Sequence, residues 1–278
     1  MDYLVCAEDT TYYHWQLELL IQSFQINNQE NNLVIALASE AGATYLDFRK
    51  LLPKHKRLIG YDNIGKQKGY RYLNRPYGVI AALTHEYIKQ PFCLIEPDMV
   101  MYKPLPEVTT ENVICQMRPA FSLEYIESCN LPIHQYLRES NGDKTWLPIG
   151  DVHVFNNMPL GWFYSVAERC EQLLLECQQE PWKHLERVGW AFSLMEHFDH
   201  IFLRSVYNLE MTLVDHQVDH HFINYAQGLP PFWNKLFYRY EEPDYFGGGP
   251  DPYEILTQYN PTTSMNYMQK VIHAYRNS

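Results

Sequence analysis

No run of basic residues exists anywhere in the chain, and 22 Lys and Arg stand against 33 Asp and Glu for a formal net charge of −11 at pH 7. Such a chain has nothing with which to release counterions from a nucleic acid or an anionic bilayer, which excludes both as partners. An anionic small ligand needs a local cationic pocket instead. No stretch reaches the roughly 18 apolar residues of a membrane span, and Met1-Asp2-Tyr3-Leu4-Val5-Cys6 lacks the basic and apolar regions of a leader. The expectation is a soluble, cytoplasmic protein with no membrane span. The six cysteines, Cys6, Cys93, Cys115, Cys129, Cys170 and Cys177, form no CxxC pair and read as reduced thiols rather than zinc ligands or disulfides. No internal repeat or low-complexity linker divides the chain.

What is present is a core. Apolar residues make up 46% of 278 positions, enough for one large domain. The 22 Tyr and 6 Trp suit stacking on flat ligand faces as well as core packing. Tyr3 to Cys6, Leu33 to Ala38, Arg57 to Tyr61 and Phe92 to Ile95 read as short apolar strands. Between them run helical patterns: Tyr13, Leu17, Leu20, Ile21 and Phe24; a short one near 43–50; and Val79, Ile80, Leu83 and Tyr87. This alternation predicts a parallel sheet with helices on both faces. Further on, 112–117 and 149–155 read as strands, and 122–142 as an insertion. Two helices follow: Phe163 to Cys177, and one carrying Leu185, Val188, Phe192 and Met195. The tail from Gly228, with Gly247-Gly248-Gly249-Pro250, is expected to wrap the surface or form a lid.

The most telling motif is Glu96-Pro97-Asp98, directly after the apolar run Phe92-Cys93-Leu94-Ile95. Two carboxylates at the carboxyl end of a buried strand lie where open α/β sheets hold divalent cations and the phosphates they bind. Asp98 is the expected direct ligand of Mn²⁺ or Mg²⁺, and Glu96 binds through water or touches a ribose. Asn74-Arg75-Pro76 reads as a helix start, with Asn74 the cap and Arg75 a bidentate donor to phosphate. Lys66 and Lys68 in the preceding loop are weaker cationic candidates. Asp62 after the third strand and Glu8 and Asp9 after the first line the same sheet edge. Trp15 and Gln16 sit on the first helix, where Trp15 lies off the apolar stripe; it either packs under a nucleotide loop or covers the sheet.

Taken in order, Tyr13-His14-Trp15-Gln16, Tyr72-Leu73-Asn74-Arg75-Pro76-Tyr77, Glu96-Pro97-Asp98-Met99-Val100 with Lys103-Pro104-Leu105, and Phe222 to Gly228 resemble the motifs of plant hydroxyproline O-arabinosyltransferases and peptidyl-serine α-galactosyltransferases. The likeness covers roughly residues 1–230. It implies a GT-A fold in one domain, 1–278, with a nucleotide-binding half to 105, an acceptor and sugar half to 230 and a C-terminal wrap over 231–278. It also implies a metal-dependent glycosyltransferase that moves a sugar from a UDP-sugar to a peptide hydroxyproline, serine or glycan hydroxyl with retention. Asp9, Trp15, Gln16, Asp62, Asn74 and Arg75 then fall to the nucleotide, and Glu96, Asp98, His221 and Asn224 to the metal. Asn224 stands where the families carry a histidine, with His220 or His221 as nearby substitutes. Asp151, in a small-residue loop Ile149-Gly150-Asp151, is the first choice for contact with the donor sugar. A Glu that the families carry near the sugar has Glu186 and Glu196 as its closest counterparts.

Two other functions compete. His216, Asp219, His220 and His221 with Asp151 and His153 contain the ligands of a two-His-one-carboxylate iron site, but that site belongs to an all-β fold at odds with the β-α alternation. A non-catalytic sugar- or peptide-binding module on the same fold is the other. Asp98, Asn74 and Arg75 occurring together argue against it.

Overall fold

Strands β1 (Asp2–Glu8) and β2 (Leu33–Ser39) are nearly continuous apolar runs because both faces of each are covered. They belong to a computed structural model that describes residues 1–40, 55–107, 113–115, 150–176, 185–197, 210–212, 220–225 and 262–277. β1 pairs in parallel with β2 on one side and with β4 (Phe92–Ile95) on the other, and β2 pairs in parallel with β3 (Leu58–Asp62). β7 (His153–Phe155) and β6 (Val113–Cys115) extend the sheet antiparallel beyond β4, giving the order β3-β2-β1-β4-β7-β6. A second, three-stranded sheet joins β5 (Met99–Met101), β9 (Phe222–Asn224) and β8 (Glu210–Thr212) in the order β5-β9-β8.

Alternation along β1 assigns its side chains to two layers. Tyr3, Val5 and Ala7 face Leu17, Leu20, Ile21 and Phe24 of α1 (Thr11–Ile26). Leu4 and Cys6 face the opposite layer, where α3 (Asn74–Thr84), α4 (Leu160–Glu176) and α5 (Leu185–His197) supply Val79, Phe163, Cys170 and Trp190. A third core closes on the outer side of α1. There Trp15 and Leu19 meet Val100 and Ile223 of the second sheet, Tyr225 just after it, and Met268, Val271 and Ile272 of α6 (Thr263–Arg276). A four-residue helix, α2 (Ile64–Gln67), follows β3.

The expected mostly parallel sheet with helices on both faces is what the chain forms. The second sheet was not expected, since three-residue strands carry no readable period. Of the expected wrap, 262–277 is a regular helix on α1, capped by the Thr262 hydroxyl accepting from the Met265 N–H at 3.1 Å. The helix expected near 43–50, the insertion over 122–142 and the tail over 228–261 lie outside the described residues.

Candidate active site

Chain direction in the main sheet changes sides at β1: β2 and β3 lie to one side, β4 to the other. In open α/β sheets the crevice outside the carboxyl ends at such a switch point is where ligands bind. Here it is flanked by Glu8-Asp9, which leaves β1, and by Glu96-Pro97-Asp98, which leaves β4. Asp62 ends β3, two strands away, and is exposed.

The second sheet holds Asp98 in place. The Tyr225 N–H donates to the Asp98 carbonyl at 3.0 Å, and Met99 pairs with Asn224. Asn224 therefore lies beside the amino end of β5, next to Asp98, where the expected third ligand should be. His221 does not. It sits at the opposite end of the antiparallel pair, where its carbonyl accepts from Tyr102 and its Nδ1 lies 2.9 Å from the Pro104 carbonyl. Asp98 faces Tyr225, four residues from His221, so at ~3.3 Å per strand residue His221 lies roughly 13 Å along the ribbon from Asp98.

Behind the crevice lies a buried charge network. Arg75 Nη1 is 2.9 Å from Glu96 Oε1 and 3.6 Å from Glu186 Oε1, and its Nη2 donates to the Asp151 carbonyl at 3.1 Å. Arg187 Nη2 lies 2.6 Å from Asp151 Oδ1 and 3.8 Å from Glu96 Oε1. The Asn224 amide donates to Asp151 Oδ2 at 2.9 Å. Burial pushes the Glu186 carboxyl up to about 7, with Arg75 opposing the shift and Glu96 adding to it. Burial raises Glu96 too, against the pull of Arg75 and Arg187.

Several expectations change in this light. Arg75 is not a surface donor at a helix N-terminus; it is buried, and its guanidinium is shared among Glu96, Glu186 and Asp151. Glu96 is paired with Arg75 at 2.9 Å, with Arg187 farther off at 3.8 Å. Glu186, 4% exposed at its side chain, meets Arg75 instead of open space. Asp151 is also enclosed, at 2%, and presents Arg187 in its stead. Arg187 itself went unrecognised in the sequence, because a single arginine in a helix pattern carries no signal of what it faces.

The nucleotide-side residues divide similarly. Asn74 is already helical, so the capping position falls to Leu73. Its side chain instead ties three elements: its amide donates to Glu8 Oε1 at 3.1 Å and Asn63 Oδ1 at 2.8 Å, and its oxygen accepts from Gly65 N at 2.8 Å. Lys66 pairs with Glu40 and Lys68 with Glu171. Trp15 is enclosed in the third core and offers no ring face to a ligand. Gln16 is buried and its amide donates to the Tyr12 carbonyl at 3.0 Å. Asp9 remains at the edge of the crevice: Oδ1 bonds His14 Nε2 at 2.7 Å, and the buried Oδ2 has no hydrogen-bond partner among the described residues. The side chain is fully enclosed and out of a ligand's reach.

Among the described residues no group of three or more His, Cys, Asp or Glu side chains is arranged to hold a metal by itself. The charges nonetheless suit a divalent cation. Glu96, Asp98, Asp151 and Glu186 are four acids against the two guanidiniums of Arg75 and Arg187, and the Asp98 charge is felt by both Glu96 and Arg187. Mg²⁺-like ions are commonly held by one or two carboxylates plus substrate phosphates, and Asp98 with the neighbouring Asn224 fits that pattern. The iron alternative does not fit an α/β sheet, and His153 is buried with its ring stacked on Phe155.

No family model matches the chain. Over 219 residues it is 24% identical to hydroxyproline O-arabinosyltransferase 1 of Arabidopsis thaliana, which covers 74% of this chain and 56% of that protein. Over 152 residues it is 24% identical to hydroxyproline O-arabinosyltransferase 2 of the same plant, covering 52% and 40%. The chain thus spans about half the length of the curated relatives it matches. Among solved structures, the bifunctional glycosyltransferase WbbM superposes with a TM-score of 0.51 at 12% identity, over 82% of this chain and 46% of that one. The chain resembles glycosyltransferases of the GT-A fold.

Proposed function

We propose that this chain is a metal-dependent glycosyltransferase that moves a sugar from a UDP-sugar to a hydroxyl acceptor on a peptide or glycan, with retention of anomeric configuration. The observation that carries the reading is the placement of Asp98 beside Asn224 at the sheet's switch point, between the crevice and a buried arginine-carboxylate network. The likeness to the two arabinosyltransferases supports the reaction class, and their acceptor, hydroxyproline, is the first to try.

A divalent cation at Asp98, with the Asn224 amide oxygen beside it, would offset diphosphate charge as the glycosidic bond breaks. This chain's own residues bind and orient. Arg75 is locked by Glu96 and Glu186 and positions the crevice wall. The incoming hydroxyl loses its proton to the leaving diphosphate on the same face, which preserves configuration without a protein base.

Calorimetry of UDP with Mn²⁺ and with EDTA tests the central claim. Binding is expected only with Mn²⁺, and Asp98→Asn should weaken it at least tenfold and abolish turnover of the UDP-sugar. Equal UDP binding under both conditions would refute a cation at Asp98. NMR of the product should show the donor's anomeric configuration, and no turnover across a panel of UDP-sugars would leave a binding module.

A further inference from the structure

Of the network's side chains with recorded ion pairs, two reach solvent. Arg187 exposes 20% of its side chain and Glu96 19%, whereas Arg75, Asp151 and Glu186 are each below a tenth. The exposed two do not satisfy each other. Arg187 Nη2 and Glu96 Oε1 lie 3.8 Å apart, beyond hydrogen-bond range and too close for an oxygen to sit between them, so they present a donor and an acceptor side by side. Both are rigidly backed: Asp151 holds Arg187 at 2.6 Å, Arg75 holds Glu96 at 2.9 Å, and Asn224 secures Asp151 from the second sheet at 2.9 Å. The terminal NH₂ of Arg187 carries two hydrogens. That nitrogen is ion-paired with Asp151 Oδ1 at 2.6 Å and is also the one nearest Glu96.

We propose that Arg187 and Glu96 form a donor–acceptor pair that reads adjacent hydroxyls of the transferred sugar, with Arg187 the residue that sets which sugar is accepted. This rests on the glycosyltransferase reading above. The guanidinium donates to one hydroxyl oxygen while the Glu96 carboxylate accepts from the neighbouring hydroxyl. A neutral vicinal diol laid across the pair leaves the network's charge balance unchanged. A site built around a substrate hydroxyl discriminates strongly against the analogue lacking it, because its buried polar groups are then left unpaired. Asp151, expected to touch the sugar itself, acts through Arg187 as a positioning residue.

The test first finds a UDP-sugar that the wild-type chain turns over with Mn²⁺; if none is found, it is the underlying enzymatic reading that fails. With that donor, deoxy analogues lacking one ring hydroxyl at a time are compared in wild type, Arg187→Ala and Arg187→Lys. In wild type, one or two adjacent deletions should lower kcat/KM about 10- to 100-fold. In Arg187→Ala the same deletions should cost less than about threefold, while affinity for UDP without sugar stays near wild type. Arg187→Lys should recover part of the discrimination. If Arg187→Ala fails to fold, Glu96→Gln and the wild-type deletion series decide. No adjacent pair of sensitive hydroxyls, equal deletion costs in wild type and variant, or a loss of UDP affinity as large as that for UDP-sugar would each overturn the assignment.

Discussion

Glu186 is a carboxylic acid whose ionisation is altered by burial. Its carboxyl keeps a proton to about 7 in the folded chain, against 4.5 for an ordinary glutamate. Between those values the folded state binds more protons than the unfolded one, so stability falls as pH rises. The contribution is fully present below about 4.5 and lost above about 7, and its size is on the order of 3 kcal/mol. Glu186→Gln keeps the shape without the ionisation. Urea denaturation from pH 5 to 8 should show a smaller decline in the variant, which becomes the more stable protein at pH 8. Parallel curves would mean that Arg75, 3.6 Å away, already stabilises the carboxylate in full.

At the scale of elements, the site depends on how closely α5 approaches α4. Gly189 makes that approach possible: a Cβ there would overlap Cys170 Sγ and come within 3.3 Å of the Cys170 backbone. Cys170 has no slack to give, since its thiol also reaches the Glu186 carbonyl at 3.5 Å. Gly189→Ala should therefore push the helices apart at about 1–3 kcal/mol, seen as a lower urea midpoint. The same shift moves Glu186 and Arg187, so turnover of the donor should fall by more than stability alone accounts for. A variant with wild-type midpoint and rate would show that α4 yields easily.

For the molecule as a whole, the third core couples the C-terminal helix to the crevice. Met268 of α6 is fully buried among Trp15, Ile223 and Tyr225, and the backbone of Tyr225 holds the Asp98 carbonyl. Polar ties join the same layers: Tyr275 donates to Glu18 at 2.5 Å, and the Asn27 amide to Tyr267 at 2.8 Å. Met268→Ala should cost about 2–5 kcal/mol through the cavity it leaves. Under conditions where the variant is still folded, Mn²⁺-dependent UDP binding should also weaken. Unchanged binding would separate α6 from the site.

The amino-acid sequence by itself determined the layered α/β architecture, because strands buried on both faces need unbroken apolar runs and a helix between them needs a 3.6-residue stripe; both patterns are local. It also located Glu96-Pro97-Asp98 at a strand's carboxyl end, since a sharp change from apolar to acidic marks that end directly. Only the tertiary structure decided what each polar side chain does. Arg75 and Glu96 are 21 positions apart, Arg187 lies 91 beyond Glu96, and Asn224 lies 73 beyond Asp151. Their partnerships are made by the sheet order and by the pairing of β5 with β9, which no local period records. The same register kept Asn224 beside Asp98 and carried His221 away. A histidine and an asparagine three residues apart look interchangeable as ligands in sequence, but an antiparallel ribbon places them a ribbon's length apart.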